Sequence, residues 1–466
     1  MKKAFALLGA LTLGAMVYAQ QQVQVPVPPV TITIPANCVL NGSVVTCSTV
    51  TPPPTCPSPG VVVNGTCTCP PPNTTVNGTC TPPSPPPNNN AAFPGAEGAG
   101  ALSKGGRGGT SMDVTNLNDS GSGSLRSCVT ASMPRTCNLR VAGTITNKSR
   151  LQVWNPYLTI DGSAAPGTVY LGGKGQVGEA LFISTHDVIV RYVSFDGSNP
   201  DIPPGPEGGT VGFELASGDV HDVIFDHVSS YHYGNKGFVI YANGQPVKNV
   251  TYQWSLMYEP NKLHPVGPHL DASMRANECT NIDFHHNVFI NVGHRMPMAG
   301  VKSVRWMNNI VYNWDWFAAL FQGGVNVDII GNNYVHGNMN QGDNGGHAHQ
   351  FEFNNTQSTD DPTRSMPGPP SAYMRANIGA QLSDPNGNQS LLAAKVDSEG
   401  GPETGSMPSS WIRNSPMPVQ GIPITENSVT TLDFILDTVG NSIHRDANDA
   451  RVIAQYRAKG PGGFFQ

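Results

Sequence analysis

Lys236, Lys262, Arg295 and Trp316 stand thirteen or fourteen residues after the start of a phrase that recurs along this chain. If each phrase opens one turn of a solenoid, the four come round to one side as a cationic column with an indole beside it. Asn235 and His294 lie one place before Lys236 and Arg295 in the same coils. Fixed cations neutralise carboxylates, so the column suits an acidic sugar chain. The other reading of the same residues is a set of solvated surface charges.

The element that must position them is the phrase itself. It reads Asp187-VIVRYVSF, Asp222-VIFDHVSS, Asn249-VTYQWSLM, Asn281-IDFHHNVF, Ser303-VRWMNNIV and Asn326-VDIIGNNY, at spacings of 35, 27, 32, 22 and 23 residues. At about 3.3 Å per residue, the shortest spacing traces roughly 70 Å of chain, one circuit of a three-sided coil. Stacked in one register, the phrases place Val190, Phe225, Tyr252, Phe284, Trp306 and Ile329 in an inward apolar column. Three places further on come Asn287, Asn309 and Asn332, whose amides can bond one another up the stack as an asparagine ladder. The expected fold is therefore all-β, a parallel β-helix with strands at 188–195, 223–230, 250–257, 282–289, 304–311 and 327–334. The coils from Asp187 and Asn249 exceed the shortest by 13 and 10 residues, so long loops leave neighbouring coils where function tends to sit.

Composition agrees with many short strands and turns. Only 12% of residues are charged, while Gly (52) and Pro (41) are abundant; the net charge of -6 argues against a nucleic-acid partner. Lys2 and Lys3 precede an apolar run from Ala4 to Val17, which reads as a signal peptide over residues 1–19 and a secreted protein. Six of the nine cysteines fall within residues 20–91, where Cys56-PSPGVVVNGT-Cys67 and Cys69-PPPNTTVNGT-Cys80 repeat with a period of 13 and Cys38-VLNGSVVT-Cys47 is a shorter relative. These are expected to be small disulfide-closed loops on a Pro-rich linker, a stiff spacer or a stalk for cell-wall or surface attachment. The β-helix is assigned to 92–345, and 346–466 to surface loops and a C-terminal segment packed on it. Within that last part, His347 and His349 form a His-x-His pair that reads as a polar loop.

The segments Ala92-FPGAEGAGALSKGGRGG, Val114-TNLNDSGSGSLRSCV, Pro134-RTC, Val141-AGTI, Leu158-TIDGSAAPG, Asp226-His227, Val250-TYQWS, Phe284-HHN and Arg445-DANDARVIAQYR resemble the secreted pectate lyases of polysaccharide lyase family 1. The resemblance runs from about Ala92 to Asn338 and returns at the C-terminus. It implies a right-handed parallel β-helix, cleavage of polygalacturonate by β-elimination and, as a rule, calcium. It also implies a short disulfide between Cys128 and Cys137, with Cys279 left as the ninth.

That chemistry needs cations to neutralise the uronate carboxyl group while a base removes the proton alpha to it. By resemblance, Arg295-Met-Pro297 matches the start of an Arg-x-Pro-x-x-Arg motif whose arginine acts as the base, but Gly300 stands where the second Arg is expected. Asn235-Lys236 replace the relatives' Asp-Glu, and Tyr231-His232-Tyr233 lie where a Trp is common. His264-PVGP-His269 resembles His-x-Lys-Gly-x-His, with Val266 in place of the Lys. Exchanging carboxylates for an amide and a cation impairs a calcium site made of oxygen ligands, so no metal is expected even though calcium belongs to the resemblance. Two readings stay open. In one, Lys236 and Lys262 take over the work of calcium, His232, His264, His269 or His294 supplies the base, and Asn235 and Trp316 help hold an acidic polysaccharide. In the other, the β-helix is a non-catalytic carbohydrate-binding or structural surface protein.

Overall fold

The computed structural model describes residues 90–205, 209–242, 245–271, 279–339, 346–355 and 367–465, with six short strands before residue 82. The chain divides into two compact units, Met1–Pro86 and Pro87–Gln466. In the first, Cys38–Asn41 pairs with Val44–Cys47, Val61–Val63 with Thr66–Thr68 and Thr74–Val76 with Thr79–Thr81, all antiparallel. An Asn-Gly pair of the repeat lies between the strands of the second and third hairpins and begins at the last strand residue, Asn41, in the first; it is the dipeptide that tight hairpins favour. The expected signal peptide and the cystine links of this segment lie outside the described residues.

The second unit is a right-handed parallel β-helix of three sheets. Each coil crosses them in turn, as in Val220–Asp226, Ser229–Tyr231 and Lys236–Tyr241. The recurring phrases pair in parallel, and the inward column is in register: Val190, Phe225, Tyr252, Phe284, Trp306 and Ile329 are successive partners, all fully buried. Burying each large ring or branched chain stabilises the stack by about 1.5–3 kcal/mol.

The expected eight-residue strands are each broken in two. Tyr192, His227, Trp254, His286 and Asn308 hold φ between 49° and 55° at one corner, turning the chain from the first sheet into the second. A left-handed conformation is unfavourable for bulky residues such as Tyr192 and Trp254. Stacking offsets it: the rings of Tyr192, His227, Trp254 and His286 follow one another at 4.9, 6.2 and 4.6 Å. Asp187, Asp222, Asn249 and Asn281, which open the phrases, also have positive φ, a place that Asp and Asn tolerate well.

Just inside that corner runs the asparagine ladder. Asn287 Nδ2 donates to Asn309 Oδ1 (3.0 Å), Asn309 to Asn332 (3.1 Å) and Asn332 to Asn377 (2.9 Å), while each amide also donates to a backbone carbonyl of the preceding coil. Ser255 and Gln389 close the two ends. The fourth rung shows that the boundary expected at residue 345 falls inside the solenoid. Strands Phe351–Asn354, Ser371–Arg375 and Ala393–Val396 continue the sheets in parallel, although their sequence lacks the phrase. Beyond them, the 3-10 segment Val429–Asp437 and helix Ala447–Ala458 pack Leu432, Ile435, Val452 and Tyr456 over the second sheet. The Cys128–Cys137 disulfide is present, and buried Cys279 accepts from Val247 N at 3.4 Å.

Candidate functional site

The third sheet sets Lys236–Tyr241, His269–Asp271, Met298–Ala299 and Ala319–Gln322 side by side, with Val239, His269, Met298 and Leu320 in register. Phe238, Ile240, Leu270, Ala299 and Phe321 fill the core, so alternate residues face outward. His269 is one of these, half-buried. Lys236 begins its strand, and its Nζ donates to Asn235 Oδ1 at 2.7 Å.

The turn before His269 brings His264 to the same end of the sheet. Its ring is half-buried, its Nε2 has no hydrogen-bond partner, and its pKa is pushed down to about 4 by burial and then by Lys236 and Arg295. His294 is lowered well below its ordinary value by burial, Arg295 and His264. Four basic side chains therefore converge, two of them neutral imidazoles. The His294 ring sits edge-on to Trp316 (5.2 Å) and Phe317 (5.1 Å), extending the cluster to the next coil.

Lys262 does not take its expected place in the column. Val266, not Lys262, bridges to His294 across the sheet. Some of the extra residues of the long coil enter before the third-sheet strand, shifting the register by four at the Val266 bridge, and the rest follow the strand. Lys262 is exposed, and its backbone N–H donates to Phe465 O. His232 faces elsewhere too: its ring stacks on Phe465 at 3.9 Å in a 610 Å³ cleft with Glu259 and Arg451. Its Nδ1 lies 3.4 Å from Asp196.

Several acidic residues at the site have no counterpart in the sequence reading. Arg295 Nε donates to Glu399 Oε1 at 2.8 Å, and a second guanidinium nitrogen contacts the same oxygen. Glu214 lies on the adjacent strand, and its pKa is raised to about 7 by burial and by Glu179 against the pull of Arg150 and Lys236. Lower down, His347 bonds Glu352 (2.6 Å) and His349 bonds Glu403 (2.7 Å), so the two histidines of the His-x-His pair take separate carboxylate partners. Glu399 and Glu403 come from a segment about a hundred residues downstream, where no local pattern marks them. Away from this face, Glu97, His285 and His286 form a buried group with donor atoms within 4.8 Å of one another. There, Thr425 donates to Glu97 and His286 bonds Asn427, so the group ties the N-terminal and C-terminal segments to the first sheet.

The outer face is thus a strip of alternating charge with aromatic flanks, suited to a long polar chain. No protein-family model matches the sequence. Over 255 residues, 53% of the chain, it is 36% identical to a probable pectate lyase C of Aspergillus oryzae. Over 250 residues it is 34% identical to the corresponding protein of Emericella nidulans. The matched stretch is similar to pectate lyases. The chain spans about half the length of these curated relatives, 54% and 53%. A solved pectate lyase bound to a hexasaccharide covers 77% of this chain and 100% of its own, with a TM-score of 0.50 at 11% identity, which shows a shared fold.

Proposed function

We propose that this is a secreted lyase that cleaves a uronate-containing polysaccharide by β-elimination without calcium. The convergence of Lys236, His264 and Arg295 at one end of the third sheet carries the reading. Lys236 and Arg295 neutralise the carboxyl group of the bound uronate, which lowers the cost of charge building there as C5 loses its proton. His264 Nε2, neutral, buried and without a hydrogen-bond partner, takes that proton once the bound sugar opens the site to it. The electron pair forms the C4=C5 double bond, the C4–O4 bond breaks, and the leaving oxygen gains a proton from water. A bound carboxylate beside His264 also raises its pKa from the low value set by the two cations, making it a better base in the complex.

Calcium fits poorly here. Asn235 Oδ1, in the pair that replaces the relatives' Asp-Glu, already accepts from Lys236 Nζ, and an ammonium beside Glu214 opposes a divalent cation. The same substitution supports a fixed ammonium as its replacement. The pairing of Arg295 with Glu399 favours a second reading, in which the strip only binds polysaccharide.

His264 separates the two. A base works when neutral, so cleavage should be present above its pKa and fall as pH drops through about 4 in kcat/KM, which reports the free protein. The limb in kcat should lie higher, because the bound carboxylate raises the pKa. His264→Ala should remove turnover and keep polysaccharide binding. An unchanged rate in that variant, with the same acid limb, would remove His264 as the base.

A further inference from the structure

Strands Ala393–Val396 and Glu403–Ser406 form an antiparallel hairpin at the far edge of the third sheet. Two strands, Phe351–Asn354 and Ala319–Gln322, separate it from Met298–Ala299, the strand that follows Arg295. Three strand spacings are about 14 Å, yet the hairpin tip at 397–401 folds back over the outer face and puts Glu399 on Arg295. Val396 packs with Met298, Phe317 and Leu320 beneath it, and Glu403 accepts from His349 N and bonds its ring, both at 2.7 Å. The Gly400 backbone lies against the Trp316 indole so closely that a methyl group there would come within 2.3 Å of the ring.

A carboxylate on Arg295 next to a small, flat group on Trp316 is the chemistry of one uronic acid residue. We infer that Arg295 and Trp316 form a uronate subsite, and that the Glu399-Gly400 tip occupies it in cis. This rests on the uronan reading above. Arg295 is only 16% exposed, so an incoming sugar must supply a carboxylate in exchange for that of Glu399 or leave a largely buried cation unpaired. The tip is thus an internal competitor that substrate displaces, anchored at its base through Glu403 and His349 so that only 397–401 need move.

Affinity electrophoresis in the cold, with polygalacturonate or highly methyl-esterified pectin cast in the gel, tests this in the full chain. Glu399→Gln removes the competing charge and keeps the shape, so retardation by polygalacturonate should correspond to about tenfold tighter binding, the change expected when a charged hydrogen-bonded pair becomes a neutral one. Binding to esterified pectin should tighten by the same factor, because either ligand displaces the tip. The ratio of the two affinities should therefore stay constant. Trp316→Ala should weaken both. Equal or weaker binding by Glu399→Gln would overturn the inference while leaving the uronan reading intact. Failure of both wild type and variant to bind either polymer would overturn both.

Discussion

Lys236→Glu is expected to lower the rate of uronan cleavage by about a thousandfold or more, the scale on which a pre-placed electrostatic group acts. The ammonium is held by Asn235 at 2.7 Å, next to Glu214 and within reach of His264. Reversing its charge removes the group that faces the substrate carboxyl and adds a third carboxylate beside Glu214 and Glu179. The Glu214 pKa, already about 7, should rise further, and an approaching uronate should be repelled. Because Lys236 is only partly buried at the start of its strand, the thermal midpoint should move little. Initial rates, with circular dichroism as the fold check, settle the matter; a variant that keeps a tenth or more of its activity would show that Lys236 is a bystander.

Arg295→Ala should be comparably damaging, by about two to three orders of magnitude. The guanidinium is the other cation at His264, and without it the carboxyl group is neutralised from one side only. The loss should fall on kcat as well as KM, since the developing charge of the transition state needs the arginine more than the ground state does. The contrast with Glu399→Gln is informative, because the two changes break the same ion pair and should act in opposite directions on binding. If both weaken binding alike, the pair is a structural clasp.

Much of the solenoid was legible because its signals are local and periodic. Phe225, Tyr252 and Phe284 recur at one place in the phrase, and parallel pairing turns that recurrence directly into a buried column. The ladder was readable as Asn287, Asn309 and Asn332 for the same reason. Its fourth rung, Asn377, was not, because 45 residues and a loop separate it from Asn332 and the surrounding phrase has gone. The corner that splits each strand was hidden by bulk: Tyr192 and Trp254 look like strand residues, and only their stacking explains the left-handed backbone.

The grouping of the candidate residues was half legible. Register brought Lys236, His294, Arg295 and Trp316 toward one another, and the resembling loop brought in His264. Lys262 was misplaced because counting along a coil cannot tell on which side of a strand an insertion falls. Glu399 was missed because its partner lies 104 residues away, and a carboxylate in a Gly- and Ser-rich hairpin carries no sign of what it will meet.

Absorbance of unsaturated uronate products, followed with polygalacturonate as substrate in the presence and absence of a calcium chelator, addresses the central claim most directly. The fixed cations of this site predict product formation at the same rate under both conditions. Cleavage that appears only with calcium, or no unsaturated product on polygalacturonate and methylated pectin alike, would contradict it.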